Sequence, residues 1–347
     1  MSKTRITMQE LAGRLGLSLK AVSDGINGTG RLSAQTRERI LAAVRETGYR
    51  RNSAARALAS RSSRLIGVLM PFTNSSFFGN ISAGIESRML DGDYMLLLGN
   101  ISGSRDTLRQ HIRRFAEREV EGIIVYPNEA VREAADELLS LRVPVVQIME
   151  SCPKLGKAAV MVDNEKAGRE AARHLRELGH TKIGFLAHDR SKQEIISRRR
   201  GFLEELGYAV PEEECAFNIP DGLRAARKLL NTHPGLTAVF AASDFAALGA
   251  LQAGLELGRR IPEELAVVGF DNLDIAASQL LYPLTTLSQP KEEIGRLAGD
   301  MLIGLIRGGE PMHRILEAPL IIRASTIRPP GTGTICPSPS QTEDLQP

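Results

Sequence analysis

Tryptophan is absent from the chain and tyrosine occurs only five times. Any stacking platform for a ligand therefore has to come from Phe or Tyr. Cysteine is almost as scarce: Cys152, Cys215 and Cys336 stand far apart. They form no CxxC metal knuckle and no disulfide framework, so each reads as a free, incidental thiol. No window approaches the ~18 consecutive apolar residues of a membrane span. The opening "MSKTRITMQELAGRLG" lacks an apolar core before a small-residue cleavage site, which argues against a secretory signal and for a cytoplasmic protein with no membrane partner.

The usual catalytic signatures are missing too. "PFTNSSFFGN" follows the first apolar run in place of a G-x-G-x-x-G turn, and the near match "GTGRLS" at Gly28 ends in Ser33. There is no GK[ST] and no G-x-S-x-G elbow. His174 and His180 lie six apart at a helix end with no acid or Cys at metal spacing, so surface or capping roles are assigned to them rather than ligation. The expectation is no metal, no cofactor and no enzymatic activity.

Charge is present, and it is unevenly placed. The net charge of +3 conceals 13 Lys and Arg against 4 Asp and Glu in residues 1–64, with 31 against 37 in the remainder. A basic module is joined to a mildly acidic body. That is the footprint of a nucleic-acid-binding arm, because Lys and Arg that neutralise phosphates release condensed counterions.

Residues 7–48 carry the punctuation of three short helices. Thr7 and Glu10 form a capping box ahead of an apolar face of Met8, Leu11, Ala12 and Leu15, and Gly16 supplies the turn. Ser18 caps a second helix whose Val22 and Ile26, four apart, share one buried face. Ser33 caps a third, with Ile40, Ala43 and Val44 inward and Gly48 as its stop. Two helices joined by a tight turn and braced by a third make a helix-turn-helix, whose second helix enters the major groove. A purely structural three-helix cap is the alternative.

"ITMQELAGRLGLSLKAVSDGINGTGRLSAQTRERILAAVRETGYRRNSAARAL" resembles the N-terminal segment of the lactose-repressor (LacI/GalR) family, with its "T-V-S-R-V-L-N-G" recognition helix and "G-Y-x-P-N-x-x-A-R-x-L" continuation. The resemblance runs on through "LIGVLMPFTNSSFFGNI", "VDNEKAGREAARHLRELGHTKIGFL", "SDFAALGALQAGLELGRRIPEELAVVGFDN" and "LTTLSQP", from about residue 5 to 328. Asp24 and Gly25 replace the usual Arg and Val, and Arg51 stands where a Pro precedes Asn52. Carried over position by position, the DNA-contacting residues are Thr7, Ser18, Leu19, Lys20, Ser23, Asp24, Asn27, Ser33, Tyr49, Asn52, Ala55 and Leu58. The resemblance makes residues 51–63 a hinge helix, too short to be stable alone, with Leu58 as a minor-groove wedge. A flexible linker is the alternative there. Asp24 has two readings: a surface pair with Lys20, or acceptance from cytosine N4 in the major groove, which is favoured. Gly25 is read as weakening the helix.

Beyond Arg64 short apolar runs alternate with amphipathic helical stretches. "LIGVLM", "YMLLLG", "GIIVYP", "PVVQIM", "KIGFLA", "TAVFAA" and "LAVVGF" are strands buried on both faces, hence parallel doubly wound sheets with ligands outside their carboxyl ends. The resemblance implies a small all-α helix-turn-helix domain (1–50) followed by an α/β periplasmic-binding-protein-like body (64–328) of two Rossmann-like subdomains with parallel sheets. The first would span 64–162 and 291–320, the second 163–290 and 321–328, with crossings near Met161, Gln289 and Leu320. The Pro-, Gly- and Ser-rich residues 329–347 read as a disordered tail without tetramerising heptads.

By the same resemblance the effector-binding residues are Phe77, Phe78, Met149, Arg198, Ser243, Asp271 and Gln289, with Asp244 a helix cap. Arg198 offers a planar donor fork, although a solvated basic helix face would also explain it. Core packing would account equally for at least one of the two Phe residues. The expected partners are a pseudo-palindromic double-stranded DNA operator, a small-molecule effector of carbohydrate type, and a second copy of the chain in a homodimer. The function expected is a ligand-switched, sequence-specific transcriptional repressor. Two alternatives are a solute-binding protein and an α/β sugar-modifying enzyme with an accessory DNA-binding module.

Overall fold

The computed structural model describes residues 6–49, 62–71, 76–102, 105–190, 192–278 and 282–327. The chain forms two compact units, Met1–Arg64 and Leu65–Pro347.

The first unit holds α1 (Met8–Leu15), α2 (Leu19–Asn27) and α3 (Ala34–Thr47). Each begins on a side-chain cap. The Glu10 amide donates to Thr7 Oγ1 at 3.2 Å while Glu10 Oε2 accepts from the Thr7 amide at 2.7 Å, and Ser18 and Ser33 cap α2 and α3 at 3.1 Å. Gly16 turns the chain out of α1 at φ 65°, a conformation that favours glycine. Leu11, Ala12, Val22, Ile40 and Tyr49 are the core.

Gly25 corrects the reading made of it. It is buried where α2 crosses α3, and a methyl group there would overlap Ile40 Cδ1. Glycine sets the approach of the two helices as well as lowering helix propensity.

In the second unit β1 (Leu65–Met70), β2 (Met95–Asn100), β3 (Gly122–Val125), β4 (Val145–Met149), β5 (Ala159–Val162) and β11 (His313–Leu316) make one sheet, in the order β11-β5-β4-β3-β1-β2. The other runs β12-β10-β9-β8-β6-β7, from β6 (Ile183–His188), β7 (Glu212–Cys215), β8 (Ala238–Ala241), β9 (Ala266–Phe270), β10 (Thr285–Leu287) and β12 (Leu320–Ile321). Neighbours are parallel except β10 and β12. Helices α4 (Ser76–Asp91), α5 (Arg105–Glu117), α6 (Glu129–Glu133), α7 (Ala135–Leu139) and α8 (Asn164–Glu177) connect the strands as far as β6. They are followed by α9 (Gln193–Leu206), α10 (Ile219–Thr232), α11 (Asp244–Glu256), α12 (Asp274–Ser278) and α13 (Lys291–Ile306). The chain passes between sheets after β5, after β10 and after β11. Leu320 lies in the second sheet rather than the first, one residue from the boundary expected.

Two glycines decide where the second half presents its chemistry. A methyl on Gly168 of α8 would overlap the Arg198 carbonyl, and one on Gly201 of α9 would overlap that of Glu165. The helices therefore pack backbone to backbone, which seats Arg198 beside Asn164. His174 is buried, not at the surface, with Nε2 2.9 Å from Thr326 Oγ1. It fastens the segment after β12 to α8.

Overpacking at Gly25 costs about 1–3 kcal/mol, against about 0.5–1 kcal/mol gained in helix propensity. Gly25→Ala should therefore lower the stability of the first unit by about 1 kcal/mol in urea unfolding. In an Ile40→Val background, which lacks Cδ1, the same change should cost less or stabilise.

Candidate functional site

The outer face of α2 presents Leu19, Lys20 and Asn27 to solvent, with Ser23 half-buried and bonded to the Asn27 amide at 3.2 Å. Thr7, Ser18 and Ser33 each mark a helix N-terminus, where unpaired amides favour an anionic phosphate. Asp24 does not form the surface pair with Lys20 and instead turns toward the loop that follows α2. Its Oδ1 accepts from Thr29 Oγ1 at 3.2 Å, its carbonyl accepts from the Thr29 amide at 3.0 Å, and its carboxylate lies where a side chain on Gly30 would stand. No Lys20–Asp24 ion pair forms among the described residues. Asp24 braces the loop leaving α2. Tyr49 is buried against the three-helix core rather than displayed. Asn52, Ala55 and Leu58, with most of the proposed hinge, lie outside the described residues.

The second unit gathers polar side chains at the carboxyl ends of both sheets, where open α/β sheets bind ligands. Tyr126 follows β3, Met149 ends β4 and Glu150 follows it; His188 ends β6, Ser243 follows β8 and Asp271 follows β9. Met149 (φ 68°) and Asp271 (φ 117°) both hold backbones that L-residues rarely adopt. Strain of this kind persists where surrounding contacts over-determine it.

Arg198 is the centre of the group. Buried on α9, it donates from Nε to Asn164 Oδ1 at 2.8 Å and from Nη1 to the Ala242 carbonyl at 2.7 Å, and its guanidinium lies 3.5 Å from the centroid of Phe270. Burial lowers its pKa, while the charges of Asp271, Glu194, Tyr126 and Asp244 act the other way. Asp271 Oδ1 accepts from Gln289 Nε2 at 2.7 Å, and burial pushes this carboxyl up to about 6. Lys291 Nζ donates to the carbonyls of Asp271 and Asn272 at 2.6 and 2.9 Å.

The helix cap expected of Asp244 is supplied by Ser243. Ser243 Oγ, fully buried, caps α11 by accepting from the Ala246 amide at 3.3 Å. Asp244 accepts from the Leu273 amide and from Thr286 Oγ1, both at 2.6 Å, so it ties the turn after β9 to β10. Burial, then the charge of Asp271, holds its pKa at about 8. Phe77 is buried and Phe78 half-buried, edge to face at 5.1 Å, and Phe78 meets the Tyr126 ring at 5.7 Å.

The sequence reading missed Tyr126, Asn164, His188, Glu150, Glu194 and Lys291. Tyr126 Oη donates to Glu194 Oε1 at 3.1 Å, joining the first sheet to α9. Glu150 is ion-paired with Arg132. Burial, then a hydrogen bond and the charge of Glu150, pushes Glu194 up to about 8. Burial, then Arg198, keeps His188 well below the usual imidazole range. Two signals were available: Tyr126, Glu150 and His188 sit at strand ends, and Glu194 is four residues before Arg198 on one helix face. Among the described residues no cluster of three or more His, Cys, Asp or Glu could hold a metal, and no helix is long and apolar enough to cross a membrane.

The raised carboxyls imply a pH dependence. Glu194 and Asp244 titrate near 8 in the folded chain against ordinary values of 4.5 and 3.8, so the folded state keeps protons that the unfolded state releases. Stability must fall as pH rises through that window. His188, whose lowered pKa acts in the opposite sense, contributes slope only below about its ordinary 6.5. The urea midpoint of the ligand-free protein should drop between about pH 6.5 and 8, and Glu194→Gln should flatten the drop; a rising midpoint would contradict this assignment.

Residues 7–52 match the family model described as bacterial regulatory proteins, lacI family, and residues 172–326 match that for a periplasmic binding protein-like domain. The HTH-type transcriptional repressor PurR of Vibrio cholerae serotype O1 (strain M66-2) is 32% identical over 331 residues, covering 93% of this chain and 98% of its own. Among solved structures, the lac repressor dimer bound to operator and the anti-inducer ONPF superposes with a TM-score of 0.84 at 26% identity, covering 94% of this chain and 100% of that one. A complex of the transcriptional regulator CelR with cellobiose superposes with a TM-score of 0.69 at 28% identity, covering 92% and 100%.

Proposed function

The chain belongs to the lacI family of bacterial regulatory proteins, and from that membership we propose that it is a homodimeric cytoplasmic repressor whose operator affinity is switched by a carbohydrate-type effector. Its relatives are transcriptional repressors rather than enzymes. In this reading α2 lies in the major groove, with Lys20, Ser23 and Asn27 toward base edges and phosphates and the capped N-termini of the helices toward the backbone. A two-fold pair of such units reads a pseudo-palindrome.

The effector occupies the carboxyl ends of the two sheets, against Arg198, Asp271, Gln289 and Phe78. The observation that carries this half of the reading is the hydrogen bond from Tyr126 to Glu194, which joins the two sheet systems amid buried polar atoms that lack partners. A ligand touching both halves favours one relative arrangement of them. Operator affinity then changes by the coupling free energy between sites, typically about 1–3 kcal/mol.

Selection of bound DNA from random duplexes, with and without a metabolite pool, tests the reading. A pseudo-palindromic consensus whose enrichment responds to the pool is expected; purely salt-sensitive binding without a consensus would overturn it. Against the selected operator, Asp24→Asn and Thr29→Val should weaken binding alike and leave base preference unchanged, because the pair braces a loop. Altered preference at one base pair per half-site with Asp24→Asn alone would restore the base-reading role. Asp271→Asn should weaken effector binding by about 1.5–3 kcal/mol in calorimetry, the worth of a hydrogen bond to a charged group.

A further inference from the structure

Buried carboxyl groups in contact repel one another unless a proton lies between them. Two such groups meet where the halves of the second unit face each other. Glu150 and Glu194 are each more than nine-tenths buried, and Glu150 Oε1 and Glu194 Oε2 accept from no other donor among the described residues. Their remaining oxygens are engaged: Arg132 of α6 ion-pairs with Glu150 Oε2, and the Tyr126 hydroxyl donates to Glu194 Oε1 at 3.1 Å. Ionised carboxylates only accept, so the hydrogen bond between Glu150 and Glu194 requires one proton. That proton satisfies both open oxygens at once.

The surroundings decide which group carries it. Arg132 fixes the negative charge on Glu150. No cation is bonded to Glu194 among the described residues, because Arg198, four residues on along α9, is held by Asn164 and the Ala242 carbonyl. Burial and Glu150 hold Glu194 at about 8, against the charges of Arg198 and of Lys192, which precedes α9. The other titratable groups of the cluster act elsewhere. The Tyr126 hydroxyl is pushed well up and His188, at the end of β6, well down, so both are neutral around pH 8. Asp271, after β9, titrates at about 6, and Asp244 of α11, near 8, is bonded to Leu273 and Thr286 of its own half.

The carboxyl pair crosses the cleft. Glu150 follows β4 and Tyr126 follows β3, both of the first sheet, whereas Glu194 lies on α9, which joins β6 to β7 of the second. We propose that the protein senses protons as a second effector: the proton shared by Glu150 and Glu194 latches the two halves together, and its loss lets them part. The sensing role rests on the reading of the chain as an operator-binding switch. Two carboxylates in contact have no donor between them, and the water that solvates them enters only as the halves separate. In an open cleft Glu194 regains its ordinary 4.5, so the closed state keeps a proton that the open state releases. Closure therefore weakens by up to about tenfold per pH unit as pH rises toward 8, and no further above it. Residues 1–64 contain no His and no Cys, so apart from an α-amino group the DNA-binding unit titrates nothing in this window.

Two measurements on the ligand-free full chain test the latch. Infrared difference spectra between pH 6.5 and 9 should show a protonated carboxyl band lost at the higher pH, part of which Glu194→Gln removes. Affinity for the selected operator at constant salt should change with pH by up to about tenfold per unit, in whichever direction closure drives it, and level off above about 8. Glu194→Gln, whose amide donates to Glu150 at every pH, should remove that slope. Glu150→Gln, which takes away the opposing charge, should move it to lower pH. A carboxyl band untouched by Glu194→Gln overturns the shared proton. An affinity that does not vary with pH, or a slope that survives both substitutions, overturns the sensing role. A chain that selects no operator at any pH loses the underlying reading, and the sensing role with it.

Discussion

A fully buried guanidinium organises the ligand-binding unit. Arg198 cannot be deprotonated cheaply or left without partners, so the fold provides two fixed acceptors and an aromatic face, Asn164, the Ala242 carbonyl and Phe270. Those partners come from α8, the end of β8 and the end of β9. Gly168 and Gly201 let α8 and α9 meet closely enough for the first of these contacts. The arrangement in turn sets the potential felt by the acids around it: Asp271, Glu194 and Asp244 all lie within the influence of the one buried charge. Asp244 is satisfied by neutral donors and serves as structure. Asp271 is only half satisfied, with Oδ2 unpaired, and that difference separates the scaffold from the candidate site.

Sequence pattern revealed the centre of each sheet and little of its margins. Strands such as β1, β4 and β9 are buried on nearly every residue and read as continuous apolar runs. The edge strand β7 is "EEEC", with only Cys215 buried, and β11 is "HRIL", largely exposed, so neither carries a continuous apolar run. Pairing with a neighbour makes them strands, and a pattern along the chain holds no record of that. The capped starts of α1, α2 and α3 were legible because capping is a local interaction over three residues.

Membership of the buried polar cluster was legible where resemblance supplied positions, as at Arg198 and Asp271, and not where only burial distinguishes a residue. Glu150 and Glu194 look like ordinary surface acids in the sequence; one follows a strand and the other opens an amphipathic helix rich in arginine. What makes them chemically unusual is desolvation, a property of tertiary packing. Gly25 failed for a different reason. It lies three residues after Val22 and beside Ile26, on the face that periodicity marks as buried, but how closely Ile40 of α3 approaches it is set by tertiary packing. Asp24 finds a partner within the chain in Thr29, five residues along in the loop that follows, a spacing that helical periodicity does not mark.

The unpartnered atoms in the cleft also explain how such a site works as a switch. Each buried polar group without a partner costs about 1–3 kcal/mol, so a cleft that shields such groups from water without pairing them is held at the expense of stability. An arrangement of the halves that lets water reach Asp271 and Gln289 recovers that cost. A ligand that satisfies the same atoms removes the incentive to open, and does so in proportion to how well its donors match them. Affinity and conformational bias are then one free energy seen from two sides, as linkage requires. A cleft with every polar atom internally paired would bind more weakly and switch less. Incomplete satisfaction at Asp271, Gln289 and His188, set against the fixed acceptors of Arg198 and the paired carboxylate of Asp244, is what gives the unit a rigid frame and a ligand-dependent seam.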